Sequence, residues 1–286
     1  MLVLLNRIIL TIFISAVSFS AFSEEMNTNY LKTDWSFKGI FGTFDRASLQ
    51  RGYQVYQEVC SGCHSVQHLS YRNLSEKGGP EFSVEEAKAI AAQFEVEDGP
   101  NSDGEMFMRP GRLSDTFVKP YPNVEASTAA NGGAYPPDMS VLTKARKGGA
   151  DYIYSLLLGY KEAPTGFELD EGVYYNKYMP GNKIKMMSPL SDGLVEYSDG
   201  TPSTTAQMAK DVTAFLVWVA EPHLESQHRM GFKSIIYLII LFILVYMSKQ
   251  KVWSRFGSKK EPEEETFDKV ERAVTEYEGE DPKTFK

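Results

Sequence analysis

Both cysteines of the chain fall inside one five-residue string, Cys60-Ser61-Gly62-Cys63-His64. Two thiols at this spacing, followed at once by an imidazole, form the pattern that attaches a c-type haem. The thiols add across the two vinyl groups as thioethers, and the adjacent histidine brings a ring nitrogen beneath the iron as proximal ligand. A zinc site would need further Cys or His ligands, and only His68, His223 and His228 remain. A thioredoxin-like redox pair would follow a strand in a cytosolic βαβ unit, and no such pattern precedes Cys60. The string therefore predicts one covalent haem c held by Cys60, Cys63 and His64.

The opposite face of the iron separates an electron carrier from an enzyme. An open position admits gas binding or peroxide chemistry, whereas methionine closes the site and raises the reduction potential. The chain has 11 methionines, so most must serve packing. His68 follows His64 by four residues on the same side and cannot reach across. Met208 belongs to the apolar stripe of a helix, and Met106, Met108, Met139 and Met179 are less well placed. Met186 and Met187 sit in irregular chain bounded by Pro180 and Pro189, where a loop can lie over the haem face. The residues alone do not choose between these two.

The elements that must position these groups are mainly helical. Asp45 suits an N-cap for a helix running toward Cys60, with Leu49, Tyr53, Tyr56 and Cys60 near one face. Gly52 on that helix costs about 1 kcal/mol relative to Ala unless a close backbone approach repays it. A second helix is predicted from Thr201, with Pro202 in its first turn and Met208, Val212, Phe215, Leu216 and Val219 at helical spacing. Pro222 stops it after Glu221. Between the two lie Gly- and Pro-rich loops, notably 131–138 and 178–193. The fold class is mainly α, a cytochrome c-like haem domain with long loops, followed by one C-terminal transmembrane helix.

Haem attachment of this kind takes place outside the cytoplasm, and an export signal is visible. Arg7, the apolar run from Ile8 to about Phe19, and Ala21-Phe22-Ser23 read as a cleavable signal peptide over residues 1–23. Residues 24–231 form the exported haem c domain. Residues 232–248 form a transmembrane anchor whose 15 uncharged residues lie between Lys233 and Lys249. Lys249, Lys251, Arg255, Lys259 and Lys260 follow without an acid, so residues 249–286 remain cytoplasmic as a basic flank and acidic tail. The tail from 261 holds ten acids and four bases and cannot build a core.

The exported segment carries 28 Asp and Glu against 19 Lys and Arg. Residues 76–105 alone hold nine acids against Lys77 and Lys88. Such a stretch is either a solvated face or a docking surface that steers a basic partner. So acidic a surface excludes nucleic acid as a partner.

The residues also resemble a known family, cytochrome c1, the membrane-anchored haem c subunit of the quinol–cytochrome c oxidoreductase complex. The resemblance runs from about Trp35 to Trp253. Beside the haem string it rests on Met108-Arg109-Pro110-Gly111-Arg112-Leu113-Ser114-Asp115, Lys119-Pro120-Tyr121-Pro122-Asn123 and Asn131-Gly132-Gly133-Ala134-Tyr135-Pro136-Pro137-Asp138. Further landmarks are Ala145-Arg146-Lys147-Gly148-Gly149 with Asp151-Tyr152, Asp199-Gly200-Thr201-Pro202, Ala220-Glu221-Pro222 and Arg229-Met230-Gly231. The family's axial methionine stands in an Ile-x-Met-x-x-Pro pattern, which aligns Met186 through Ile184 and Pro189. The family usually has Ala-Pro-Pro after that ligand, whereas this chain has Met187-Ser188-Pro189.

The resemblance further implies that Arg146 lies near a haem propionate and that Asn131, Pro137 and Tyr152 line the pocket. It implies cytochrome b and a Rieske iron–sulfur protein as partners in a dimeric complex in the membrane lipid. The Rieske protein would supply the electron and a cytochrome c docking on 76–105 would remove it. Some bacterial members carry an extra disulfide, which a chain with two cysteines lacks. The simple secretory signal fits a bacterial inner membrane with the haem domain in the periplasm. A haem enzyme or gas sensor with a displaceable ligand, and an anchored cytochrome that shuttles alone, are the rival classes.

Overall fold

The computed structural model describes residues 29–255 and 269–272. The predicted signal peptide and most of the acidic tail lie outside the described residues. Asp45 opens helix α1 (Arg46–Val55), its carboxylate accepting from the Ala47 and Ser48 amides as expected of an N-cap. The helix then widens into a π turn over Tyr56–Cys60. Such turns displace the chain from helical register and are frequent at functional sites. Here the turn delivers Cys60 to the end of the helix. The Cys63 and His64 amides both donate back to the Cys60 carbonyl, at 3.1 and 2.9 Å, so the five-residue string is one tight turn.

Helix α2 (Val84–Ala91) begins with a capping box in which Ser83 and Glu86 exchange side-chain and backbone bonds. Strands β1 (Glu95–Asp98) and β2 (Phe107–Pro110) form an antiparallel hairpin in register Glu95 to Pro110. Helices α3 (Val124–Ala130) and α4 (Gly149–Leu158) follow. Strands β3 (Tyr174–Tyr175) and β4 (Lys183–Ile184) pair next, antiparallel. Helix α5 (Thr205–Ala220) closes this unit, its end at Glu221 just before Pro222, as the sequence predicts.

The start of α5 differs from expectation. Thr204, not Thr201, is the N-cap, its hydroxyl accepting from the Gln207 amide at 3.2 Å. The Thr201 amide donates to Asp199 and the Ser203 carbonyl accepts from Gly193. Those bonds hold 201–203 outside the helix.

The core lies where α1 and α4 pack on α5. Trp218, Tyr56, Tyr71 and Phe215 are fully buried. Tyr56 stacks on Phe215 with ring centroids 5.6 Å apart, and Tyr71 stacks on Phe117 at 4.5 Å. Aromatic contacts of this kind add to the area they bury. The N-terminal segment is fastened to α4 at Asp151, whose carboxylate accepts from the Trp35 indole at 2.6 Å and from Lys32 and Lys38.

A second unit begins at Ser226. It consists of most of helix α6 (Leu224–Trp253), together with the helical residues 269–272. Thirty residues at 1.5 Å rise give about 45 Å, enough to cross a bilayer and its headgroups. The apolar run 232–248 lies inside this helix, which extends beyond it at both ends.

Candidate haem-binding site

His64 is placed by the turn at the end of α1, and its ring is aimed by loop 131–138. Its Nδ1 lies 2.8 Å from the Pro137 carbonyl. A carbonyl only accepts, so Nδ1 carries the proton and Nε2 keeps a lone pair for a metal. Burial pushes the His64 pKa down, against the Pro137 bond and the nearby Asp138 carboxylate, and this favours the neutral ring. Asp138 braces the same loop. Its carboxylate accepts from the Ser65 hydroxyl at 2.7 Å and from the amides of Gln67 and Ser140 at 3.1 and 2.8 Å.

The strap carrying Met186 reaches the same loop. The Lys185 ammonium lies 3.4 Å from the Gly132 carbonyl, and a Cβ on Gly133 would meet that ammonium at 3.6 Å. Loop 131–138 thus contacts both the histidine and the methionine strap. Met186 is half-buried, whereas Met187 is 65% exposed. The other candidate methionines lie elsewhere among the described residues. Met208 and Met139 are in the core, Met106 and Met108 are exposed at the β1–β2 hairpin, and the Met179 sulfur accepts from the Tyr152 hydroxyl at 3.6 Å.

Arg146 and Tyr152 come together at the start of α4. Burial raises the Tyr152 pKa, while the Arg146 guanidinium acts on its hydroxyl in the opposite direction. Arg146 itself is exposed, which leaves its fork accessible to an anionic group. Asn131 stands at the end of α3, at the foot of loop 131–138. Its side-chain amide donates to the Ser127 carbonyl at 2.7 Å and so closes the C-terminal end of α3 at the base of the loop.

These residues fit a c-type haem. Cys60 and Cys63 are free thiols, and burial pushes the Cys60 thiol up to about 12. Beside Cys63 lies an open cleft lined also by Ser65, Tyr121, Pro122, Ser127 and Pro136. A nitrogen donor oriented through the Pro137 carbonyl, two thiols and a half-buried thioether are the donor types that a haem c would need. No group of three or more His, Cys, Asp or Glu suited to a metal ion occurs among the described residues.

The Cytochrome C1 family model matches residues 35–256. The chain belongs to the cytochrome c1 family. Cytochrome b/c1 of Bradyrhizobium diazoefficiens is 50% identical over 239 residues, which are 77% of this chain and 35% of that protein. This chain therefore spans about a third of that longer relative. The mitochondrial heme protein cytochrome c1-2 of Solanum tuberosum is 50% identical over 226 residues, 79% of this chain and 86% of that protein. Mitochondrial cytochrome c1 of Saccharomyces cerevisiae is 49% identical over 227 residues, covering 79% and 72%.

Within this cytochrome c1 fold, two contributors escape a reading of the sequence. Asp138 stands in a recognisable string, but its bonds to 65 and 67 are long-range contacts that spacing does not reveal. Tyr160 follows the glycine that ends α4 and donates to the Met186 carbonyl at 3.1 Å. Nothing in its local sequence signals that contact.

Proposed function

We propose that the chain holds one covalent haem c, with Cys60 and Cys63 as thioethers and His64 and Met186 as axial ligands. It acts as the electron-carrier subunit of a membrane quinol–cytochrome c oxidoreductase. The observation that carries this reading is loop 131–138, which orients His64 through Pro137 and touches the Met186 strap through Gly132. When bound, a haem c supplies an iron that accepts and releases one electron without making or breaking a bond. Cys60 and Cys63 fix the group to the turn at the end of α1. The Pro137 carbonyl holds His64 in the tautomer that donates from Nε2. Met186 would supply the sulfur ligand and so leave no open position for a displacing ligand. Arg146 and Tyr152 offer a cation and a hydroxyl to a propionate.

The subunit accepts its electron from a Rieske iron–sulfur protein beside cytochrome b and passes it to a cytochrome c. Helix α6 anchors it in the bacterial inner membrane, haem unit in the periplasm. The acidic segment 76–105 attracts the basic acceptor. Quinol added to native membranes tests the assignment. Reduction of the covalent haem that a quinol-oxidation-site inhibitor abolishes is expected, and inhibitor-insensitive reduction points to an independent shuttle. Met186→Leu should remove the sulfur-to-iron charge-transfer band while Met187→Leu keeps it. The reverse result would move the ligand to Met187. Rapid carbon monoxide binding to the reduced native protein would favour the gas-sensor class instead.

A further inference from the structure

We infer that Tyr160 is a positioning residue that holds the Met186 peptide in place and so keeps the methionine sulfur at the haem site. The inference rests on Met186 being the axial ligand. The strap is weakly held by its own backbone. Its ladder ends at Ile184, and among the described residues 185–190 make no backbone–backbone hydrogen bond. The Tyr160 hydroxyl donates to the Met186 carbonyl at 3.1 Å, a direct bond from the body of the fold to the ligand residue itself.

The donor is fixed in turn. Tyr160 forms a bridge with Asn176, and the Lys177 amide donates to the Gly159 carbonyl at 2.9 Å. Asn176 is fully buried, and its side-chain amide donates to the Leu156 carbonyl at 2.8 Å at the end of α4. A Cβ on Gly159 would lie 2.5 Å from the Asn176 side-chain oxygen, so only glycine permits this approach. The hydroxyl is therefore presented from the end of a core helix, and the methionine strap hangs from it. Lys185 to Gly132 is a second, longer contact on an exposed side chain.

Tyr160→Phe removes the hydroxyl and leaves the ring. In the haem-loaded, detergent-extracted full chain, the thioether should leave the iron about tenfold more often, the value of one lost hydrogen bond. Carbon monoxide should then bind the reduced variant about tenfold faster than the native protein, and the sulfur-to-iron band should bleach at a lower pH. Tyr237→Phe, at an exposed tyrosine of α6, should leave both readouts native. The inference is overturned if Tyr160→Phe keeps the native band and carbon monoxide rate, including the case in which only its melting temperature drops. Met186→Leu separates the two ideas. A band that survives in Met186→Leu removes the ligand assignment, whereas a band lost there but untouched in Tyr160→Phe removes only the tether.

Discussion

Gly52 of α1 crosses α5 directly at Asp211: a Cβ on Gly52 would stand 2.2 Å from the Asp211 carbonyl oxygen and 2.7 Å from the Phe215 Cβ. The backbone approach that the sequence requires to justify a glycine in mid-helix is thus present. Gly52→Ala gains about 1 kcal/mol of helix propensity but forces backbone against backbone. Overpacking of this kind typically costs about 1–3 kcal/mol, and a clash with a main-chain carbonyl belongs at the upper end. The expected net loss of about 2 kcal/mol would lower the melting temperature by roughly 4–8 °C for a unit of this size. A thermal melt of the full chain in mild detergent checks it, and an unchanged or raised midpoint would show that the crossing relaxes freely.

The crossing also explains what could and could not be read from the chain. The haem string, the two terminal helices of the haem unit, the glycine at their crossing and the apolar helix all carry local signatures. Loop 131–138 is legible as a Gly- and Pro-rich loop but its contacts are not, because its bonds to His64, Ser65 and the Met186 strap join segments far apart in sequence. The start of α5 departs from its local signal for a related reason. Thr201-Pro202 is a good local helix opening, but the Asp199 and Gly193 contacts hold that peptide outside the helix. The methionine choice falls between these cases. Spacing narrows it to Met186 and Met187 and the family pattern aligns Met186; the structure adds that Met186 is half-buried and Met187 exposed.

Asp199 gives a pH dependence with a definite sign. The Thr201 amide, at 2.9 Å, and the Arg51 guanidinium hold its pKa at about 2. An unfolded aspartate titrates near about 4, so the unfolded chain binds more protons between these values. The contribution to stability is complete above about pH 4 and is lost as pH falls toward about 2. Asp98 and Asp115, both held down chiefly by hydrogen bonds from Arg109, have the same sign. Melting temperature should therefore fall over this acid window, and Asp199→Asn should flatten the fall. Melts followed by circular dichroism at stepped pH decide it; equal slopes would count against Asp199.

Asp138→Ala removes the acceptor shared by Ser65, Gln67 and Ser140. A hydrogen bond to a charged group is worth about 1.5–3 kcal/mol, and the three donors differ in how readily water replaces the acceptor. A stability loss of about 2–4 kcal/mol is expected. Because Pro137 precedes Asp138 and orients His64, the haem spectrum should broaden as well. Chemical denaturation with parallel absorption spectra tests both. A destabilised protein with a native haem spectrum would confine Asp138 to holding the loop and leave His64 oriented by Pro137 alone.

The acidic stretch divides by what its side chains already do. Glu81 pairs with Arg46, Asp98 with Arg109, Glu76 accepts from Asn73, Glu86 closes a capping box, and Glu85 sits in the same first turn of α2. Among the described residues Glu95, Glu97, Asp103 and Glu105 form no ion pair, and all four are exposed. These four, rather than the segment's whole charge, should steer a basic acceptor. Changing all four to their amides should slow association with a basic cytochrome c by roughly tenfold at low salt and flatten its salt dependence. Stability should hardly change, since exposed unpaired charges contribute little to folding. Asp98→Asn should do the opposite, lowering the melting temperature with a smaller effect on association. Stopped-flow rates across ionic strength distinguish the two, and an unaltered salt slope in the fourfold variant would move the docking surface elsewhere.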